Sequence, residues 1–263
     1  MLQALLYFLI AICATTVGSL TGMGGGVIIK PLMDMLHGFD VQTIGVLSAI
    51  TVFSMSVVSV GKQVIAKTKI PYGTAVPLAV GSVIGGLGGE KLLQAIVGAL
   101  HANSAVTVVQ NVVLSVLILG VFLYMKNKER IKGHTLDGVA VSLLVGLFLG
   151  VCSSFLGIGG GPINVAILIY LFSYDTKTAT VCSLVTILFA QISKLVTVAV
   201  TTGFAVYDLH IAPAMVIGAV AGGFIGAVLN KRFDEKKVEI AFNAVQLVVL
   251  GIAVFNIIKN LVV

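Results

Sequence analysis

Along this chain, long apolar runs alternate with short polar or glycine-rich interruptions. Apolar segments cover 2–20, 42–61, 72–98, 104–125, 136–153, 179–201, 207–230 and 238–259. Each approaches or exceeds the roughly 20 mostly apolar residues that a membrane-spanning helix needs. Two shorter apolar stretches, about 24–36 and 159–173, suit a half-helix or a short tilted crossing. Each follows a glycine-rich break, Gly22-Met23-Gly24-Gly25-Gly26 in one case and Gly157-Ile158-Gly159-Gly160-Gly161 in the other. The pattern predicts an all-α polytopic membrane protein.

The two breaks stand 135 residues apart, from Gly22 to Gly157, and the register continues around them. At that offset Ser19 meets Ser154, Asp40 meets Asp175, Thr43 meets Thr178, Ser48 meets Ser183 and Thr51 meets Thr186. Paired glycine-broken segments in two halves are the best sequence pointer to the midplane binding site of a secondary transporter. The expected organisation is an N-terminal repeat over 1–126, a cytoplasmic linker over 127–135 and a C-terminal inverted repeat over 136–263, forming one integral membrane domain. Each repeat holds about five membrane segments, with the glycine-broken helices or re-entrant hairpins at the centre.

Composition agrees with the pattern. Hydrophobic residues make up 58% and charged residues 10%, against about 25% charged in soluble domains, so a water-facing surface cannot be covered. The net charge of +6 is then a topology signal, because Lys and Arg bias loops to the cytoplasmic side; it does not point to nucleic acid. Basic loops fall at Lys62, Lys67 and Lys69, at Lys126, Lys128, Arg130 and Lys132, at Lys177, and at Lys231, Arg232, Lys236 and Lys237. The loops at 37–41, 99–103 and 202–206 hold no Lys or Arg. With the basic loops inside, each glycine-broken region crosses twice or re-enters, the second half is inverted relative to the first, and both termini lie outside. The N-terminus lacks the basic region and small-residue exit of a cleaved signal and is read as a first membrane segment.

A run of glycines permits unwound backbone, which a bilayer tolerates only inside protein or against a polar cavity. A helix that starts after such a break presents free N–H groups and the positive end of its dipole. Two such starts from opposite halves would converge near the midplane and hold an oxyanion. Close helix packing also selects glycine and is the competing explanation. The candidate ligands are Ser19, Gly22, Gly24, Gly25 and Gly26 in the first half and Ser154, Gly157, Gly159, Gly160, Gly161 and Asn164 in the second. On the helix after each break, Ser183, Thr186, Gln191 and Lys194 share a face, and their repeat partners Ser48, Thr51, Ser56 and Ser59 all bear hydroxyls. This polar stripe faces a cavity or serves interhelical hydrogen bonds. Lys30 and Lys194 are intramembrane bases and functional suspects by default. Each has a rival role: Lys30 can pair with Asp34 one turn on, and Lys194 can snorkel to the outer interface. Glu90 and Lys91 are expected at a solvated helix end. The ridges Gly81, Gly85, Gly89 and Gly218, Gly222, Gly226 are expected to pack helices.

The segments Gly22-Met23-Gly24-Gly25-Gly26-Val27-Ile28-Ile29-Lys30-Pro31-Leu32 and Leu156-Gly157-Ile158-Gly159-Gly160-Gly161-Pro162 resemble the doubled signature of the TauE/SafE sulfite-exporter family, and the likeness covers essentially the whole chain. The resemblance implies an inner-membrane permease for small sulfur-containing or organic anions such as sulfite or sulfonates.

Other classes fit less well. A G-x-G-x-x-G nucleotide site would need glycine where Val27 and Pro162 stand, and no βαβ unit surrounds either motif. Cys13, Cys152 and Cys182 form neither a disulfide framework nor a metal spacing with the histidines, so no metal and no cofactor are expected. His37, His101, His134 and His210 lie in or next to loops, so no nucleophile–base pair is in view and the chain is not read as an enzyme. The expected activity is alternating-access transport of a small anion in contact with the lipid bilayer. A passive anion channel or facilitator is the alternative, and association into a homo-oligomer stays open. With Asp34 as the one acid placed inside the membrane, no carboxylate proton relay is evident.

Overall fold

The computed structural model describes residues 2–36, 38–68, 70–100 and 103–262. His37, Lys69 and His101 lie outside them. Ten α-helices follow in order: α1 (Leu2–Thr21), α2 (Gly26–Leu36), α3 (Val41–Ile65), α4 (Tyr72–Leu100), α5 (Asn103–Asn127), α6 (Val139–Leu156), α7 (Pro162–Phe172), α8 (Thr176–Thr201), α9 (Ala212–Arg232) and α10 (Glu235–Val262). A 3-10 turn, Phe204–Val206, precedes α9. Eight of the helices among the described residues are long and apolar enough to cross a membrane, α2 and α7 being the exceptions.

Two starts differ from the sequence pattern. Helix α9 begins at Ala212, five residues later than expected, with Pro213 in its first turn; before it, Asp208 accepts from His210 Nδ1 at 2.6 Å. Helix α6 begins at Val139, because the preceding segment spends its amides elsewhere. His134 N–H and Leu136 N–H donate to the Tyr170 and Leu171 carbonyls at 2.7 and 2.8 Å, satisfying orphan acceptors at the end of α7.

The repeated Asp and Thr residues have a local cause. Asp40 caps α3 by accepting from the Gln42 and Thr43 amides, both at 3.0 Å. Asp175 does the same for α8 through Lys177 and Thr178, at 3.0 and 2.9 Å. The second carboxylate oxygen of each takes the neighbouring threonine hydroxyl at 2.5 Å. Burial works to raise the Asp175 pKa, but the hydroxyl and amide of Thr178 and the Lys177 amide outweigh it and hold the carboxyl below its ordinary value.

The helix pairing exchanges between the halves. Gly81, Gly85 and Gly89 of α4 lie on the backbone of α6 at Leu143, Leu147 and Val151, and Gly218, Gly222 and Gly226 of α9 lie on α1 at Phe8, Ile12 and Thr16. A Cβ at any of the six would collide with main-chain atoms of the facing helix, so these glycines set the interhelical distance. Within each pair the helices run parallel. Helices α3 and α9 pack together, as do α8 and α4, while α3 crosses α8 and α5 crosses α10.

Side-chain contacts assign the two ends of the bundle. Lys62, Gln63 and Lys231 line one cavity, and Thr68, Lys177 and Lys231 a second beside it. Lys128 pairs with Glu239 at the same end, called the basic end below. At the opposite end the Tyr7, Phe39 and His210 rings cluster, and Lys259 donates to the Met35 carbonyl at 3.1 Å. The chain therefore enters α1 at this opposite end and is back there by Phe39. The segment α6–α7 starts at the basic end and returns to it, where Tyr174 donates to Thr74 Oγ1 at 2.7 Å.

Outward-facing side chains are large and apolar, among them Leu5, Val76, Val116, Leu144, Val196, Ile217, Ile240 and Leu247. Polar residues are turned inward, with Thr15, Ser19, Thr51, Ser59, Thr180, Ser183 and Gln246 fully buried. That inversion of the soluble pattern is what a lipid-facing surface requires.

Candidate functional site

The two glycine breaks touch one another. A Cβ on Gly26 would run into the Ile158 carbonyl, and one on Gly24 would lie 3.6 Å from the Gly159 carbonyl. Met23, Val27, Ile158 and Ile187 close the junction and are fully buried. Positive φ values at Gly22 (76°), Gly24 (71°), Gly157 (66°), Gly159 (74°), Gly160 (124°) and Gly161 (93°) put the chain in a region that a side chain disfavours. These residues let each helix end and its successor turn back within a few residues.

Inside an apolar surround the carbonyls released by such turns need donors. Amide side chains from distant helices supply them. Asn230 of α9 donates to the Leu20 carbonyl at 2.6 Å, and Gln110 of α5 donates to the Phe155 carbonyl at 2.6 Å. Leu20 and Phe155 are themselves 135 residues apart. Thr180 reaches the Thr21 carbonyl at 3.2 Å and Ser183 the Gly22 carbonyl at 2.6 Å. A further amide, Asn256 of α10, serves the Pro31 carbonyl at 2.8 Å. Asn230, Gln110 and Asn256 were not among the sequence candidates; single amides within strongly apolar segments were the available signal.

Around the junction, the candidates separate into two groups. Ser48 Oγ is buried without a partner and lies 3.0 Å from the Cβ position of Gly26. Asn164 Nδ2 lies 2.9 Å from the Cβ position of Gly160, and Gln191 Nε2 lies against Gly159. The side-chain oxygens of both amides are buried and unpartnered. Gly157 meets the Lys30 side chain, whose Cδ and Cε lie 3.2 Å from its Cβ position, and also faces Gly45. Gly45 in turn faces Lys194 Nζ, 3.2 Å from its own Cβ position. Ser48, Lys30, Asn164 and Gln191 are thus gathered on the junction, with Lys194 one step behind it, against Gly45.

The remaining hydroxyls are engaged elsewhere. Thr51 and Thr186 donate back to their own helices, at 2.7 Å to Leu47 and 2.9 Å to Cys182. Ser56 donates to Phe53 at 2.9 Å. Ser19 bonds Ser59 at 2.7 Å and the Gly223 carbonyl at 3.0 Å, within the α1–α3–α9 contact. Ser154 faces Gly86 and Gly89 in the α4–α6 contact. Gly25 faces Thr15 of α1, so its missing side chain serves the packing of the break on that helix.

Both intramembrane lysines are paired. Lys30 Nζ contacts both Asp34 oxygens at 3.1 and 2.8 Å, and Asn111 Nδ2 adds a weak contact to Asp34 at 3.4 Å. Lys194 does not snorkel outward: it is buried, with Nζ 3.5 Å from Glu90 Oε2. Glu90 corrects the expectation of a solvated helix end. Helix α4 continues ten residues past it, α8 covers it, and only 7% of the residue is exposed. Lys91, next along, does point outward.

Known proteins are consistent with a membrane transporter. The family described as Sulfite exporter TauE/SafE matches residues 7–254. A probable membrane transporter protein, YunE of Bacillus subtilis (strain 168), is 24% identical over 268 residues, spanning 92% of this chain and 93% of that protein. No solved structure matches the chain.

Proposed function

We propose, from the premise that this chain belongs to the Sulfite exporter TauE/SafE family, that it carries small anions across the cell membrane by alternating access around the junction of its two glycine breaks. Sulfur-containing oxyanions and organosulfonates are the substrate class. The observation that carries this reading is the contact between the breaks at Gly26 and Ile158. Two helices, α2 and α7, start there and run toward opposite ends of the bundle, so both N-termini point their dipoles at one place. Lys30, Lys194, Ser48, Asn164 and Gln191 add donors around it.

The halves are read as inverted repeats. Each element of the first half starts at the end of the bundle where its counterpart in the second half finishes, and the helix contacts exchange accordingly. Such a pair of halves can rock about a shared centre, exposing it alternately to each side. The basic end carries Lys62, Lys128, Lys177 and Lys231 and is assigned to the cytoplasm, which leaves both termini outside. Residues 127–135 then link the repeats on the cytoplasmic side.

Proteoliposome flux tests the proposal. Protein-dependent, saturable movement of sulfite, thiosulfate or a sulfonate is expected, and it should be lost in Gly26→Leu. Conduction that never saturates would make the protein a channel, and absence of flux for every anion tried would remove the reading.

A further inference from the structure

We propose that Glu90 competes with the transported anion for Lys194, so that each anion taken by Lys194 brings one proton onto Glu90. The inference rests on the anion-transport reading and supplies its coupling ion.

The pair is buried yet loosely made. The 3.5 Å separation of Lys194 Nζ and Glu90 Oε2 exceeds the usual charge-assisted hydrogen-bond length, and Oε2 has no hydrogen-bond partner. By contrast, Lys30 holds Asp34 through both carboxylate oxygens. Lys194 also has a second side to turn to, because its ammonium edges Gly45, which faces Gly157 of the second break. Glycine at 45 leaves open the side from which an anion at the break would approach.

The fold does not demand this pair. At the 135-residue offset Ser59 stands in place of Lys194, and it is satisfied by Ser19 at 2.7 Å. Aligning Gly81, Gly85 and Gly89 with Gly218, Gly222 and Gly226 puts Ala227 in place of Glu90. One half fills the position with neutral groups and the other with a charged pair, so the charges serve something other than packing.

Charge balance then dictates the coupling. Lys194 and Glu90 together are neutral. An anion that takes the ammonium leaves the Glu90 carboxylate as an isolated buried charge, which is costly. One proton from the aqueous phase on the side of anion entry removes that cost, converting the ion pair plus anion plus proton into an anion–ammonium pair and a neutral carboxylic acid. Among the described residues, no other charged group packs against Glu90, and the charges nearest on the break side, Lys30 and Asp34, hold each other through two contacts. Helix α6, packed along α4, brings only the Cys152 thiol; α8 brings Lys194 and, far along, Cys182 and Lys177; α5 carries Tyr124 and Lys126 toward the basic end; on α4 itself Lys91 is exposed.

The test uses purified full-length protein with isethionate and thiosulfate, whose charges stay fixed between about pH 5 and about pH 8, so any pH dependence belongs to the protein. Wild type should take up about one proton per anion bound, and affinity should weaken as pH rises, by up to about tenfold per pH unit. Glu90→Gln should bind with pH-independent affinity and take up no proton. A wild-type pH slope retained in Glu90→Gln would overturn the proposal, as would anion binding by wild type without proton uptake, a result that does not depend on the variant folding. If wild type moves these anions at a rate indifferent to a pH gradient, the coupling fails and the transporter reading stands. If it neither binds nor moves them, or sulfite, both fail.

Discussion

The two glycine breaks share a motif and differ in what surrounds it. The first, at 22–26, is enclosed by neutral donors: Asn230, Thr180 and Ser183 satisfy three successive carbonyls at Leu20, Thr21 and Gly22. The second, at 157–161, has Gln110 on the Phe155 carbonyl, while Lys30, Asn164 and Gln191 lie against its glycines and Lys194 stands behind them, against Gly45. Two of those four, Asn164 and Gln191, retain unpartnered oxygens. The same backbone device is thus held by neutral donors in one half, with Ser48 Oγ left unpartnered where its Gly26 meets the other break, and is flanked by lysines and unsatisfied amides in the other.

Removing a charge at the second break should produce the largest effect. Lys30→Met leaves Asp34 buried with only the Asn111 contact and should cost about 3–5 kcal/mol, since breaking a buried pair strands the partner. The double change Lys30→Met with Asp34→Asn should recover most of that, as a double-mutant cycle in thermal unfolding would read. A residual loss of anion affinity in the double variant would place Lys30 on the substrate; unchanged affinity would make the pair purely structural and weaken the contrast between the breaks.

Gly26→Ala tests the contact between them. The added methyl meets a backbone carbonyl that cannot rotate away, so overpacking of about 1–3 kcal/mol and loss of most flux are expected. Gly120→Ala, where a Cβ has open space around it, should leave both unchanged and serves as the control. Equal flux in the two variants would show that the breaks need not touch during transport.

Amide truncation compares the joints. Asn230→Ala and Gln110→Ala each leave a carbonyl unserved, at Leu20 and Phe155, and each should destabilise by about 1–3 kcal/mol without altering anion affinity in the folded protein. The smallest effect separates two repeat-related serines. Ser183→Ala loses the bond to Gly22 and should cost about 1 kcal/mol. Ser48→Ala loses no bond, because Ser48 Oγ has no partner, and should change anion affinity with little change in stability. The reverse pattern would move the substrate from the Gly26–Ile158 contact to the Gly22 turn.

Much of this was legible in the sequence because a bilayer imposes coarse rules. All eight long apolar runs became helices, and the two short ones became α2 and α7, since length and hydropathy decide both. The six ridge glycines read correctly for the same reason: no other residue lets helix backbones approach so closely. Glu90 was misread because one-dimensional hydropathy cannot see α8 covering α4, and a Glu-Lys step in a run looks like an exit to water. The carbonyl-capping roles of Asn230, Gln110 and Asn256 were hidden because each partner lies on another helix, 210, 45 and 225 residues away respectively. The equal-looking hydroxyl stripes of α3 and α8 likewise gave no hint that Thr51 and Thr186 would bond within their own helices while Ser48 stayed free.

On the proposed mechanism, Lys194 holds the transported anion beside the second break. The most direct test is the affinity of purified Glu90→Gln protein for thiosulfate or isethionate, compared with that of the double variant Glu90→Gln with Lys194→Met. In that background no buried carboxylate is stranded by loss of the lysine, so a change in affinity reports the anion contact itself. Ser59→Ala, at the repeat-related position, is measured beside them. Loss of a charge-assisted contact of about 1.5–3 kcal/mol predicts affinity at least about tenfold weaker without Lys194, and no more than about twofold altered by Ser59→Ala. Equal affinity with and without Lys194 would contradict the account.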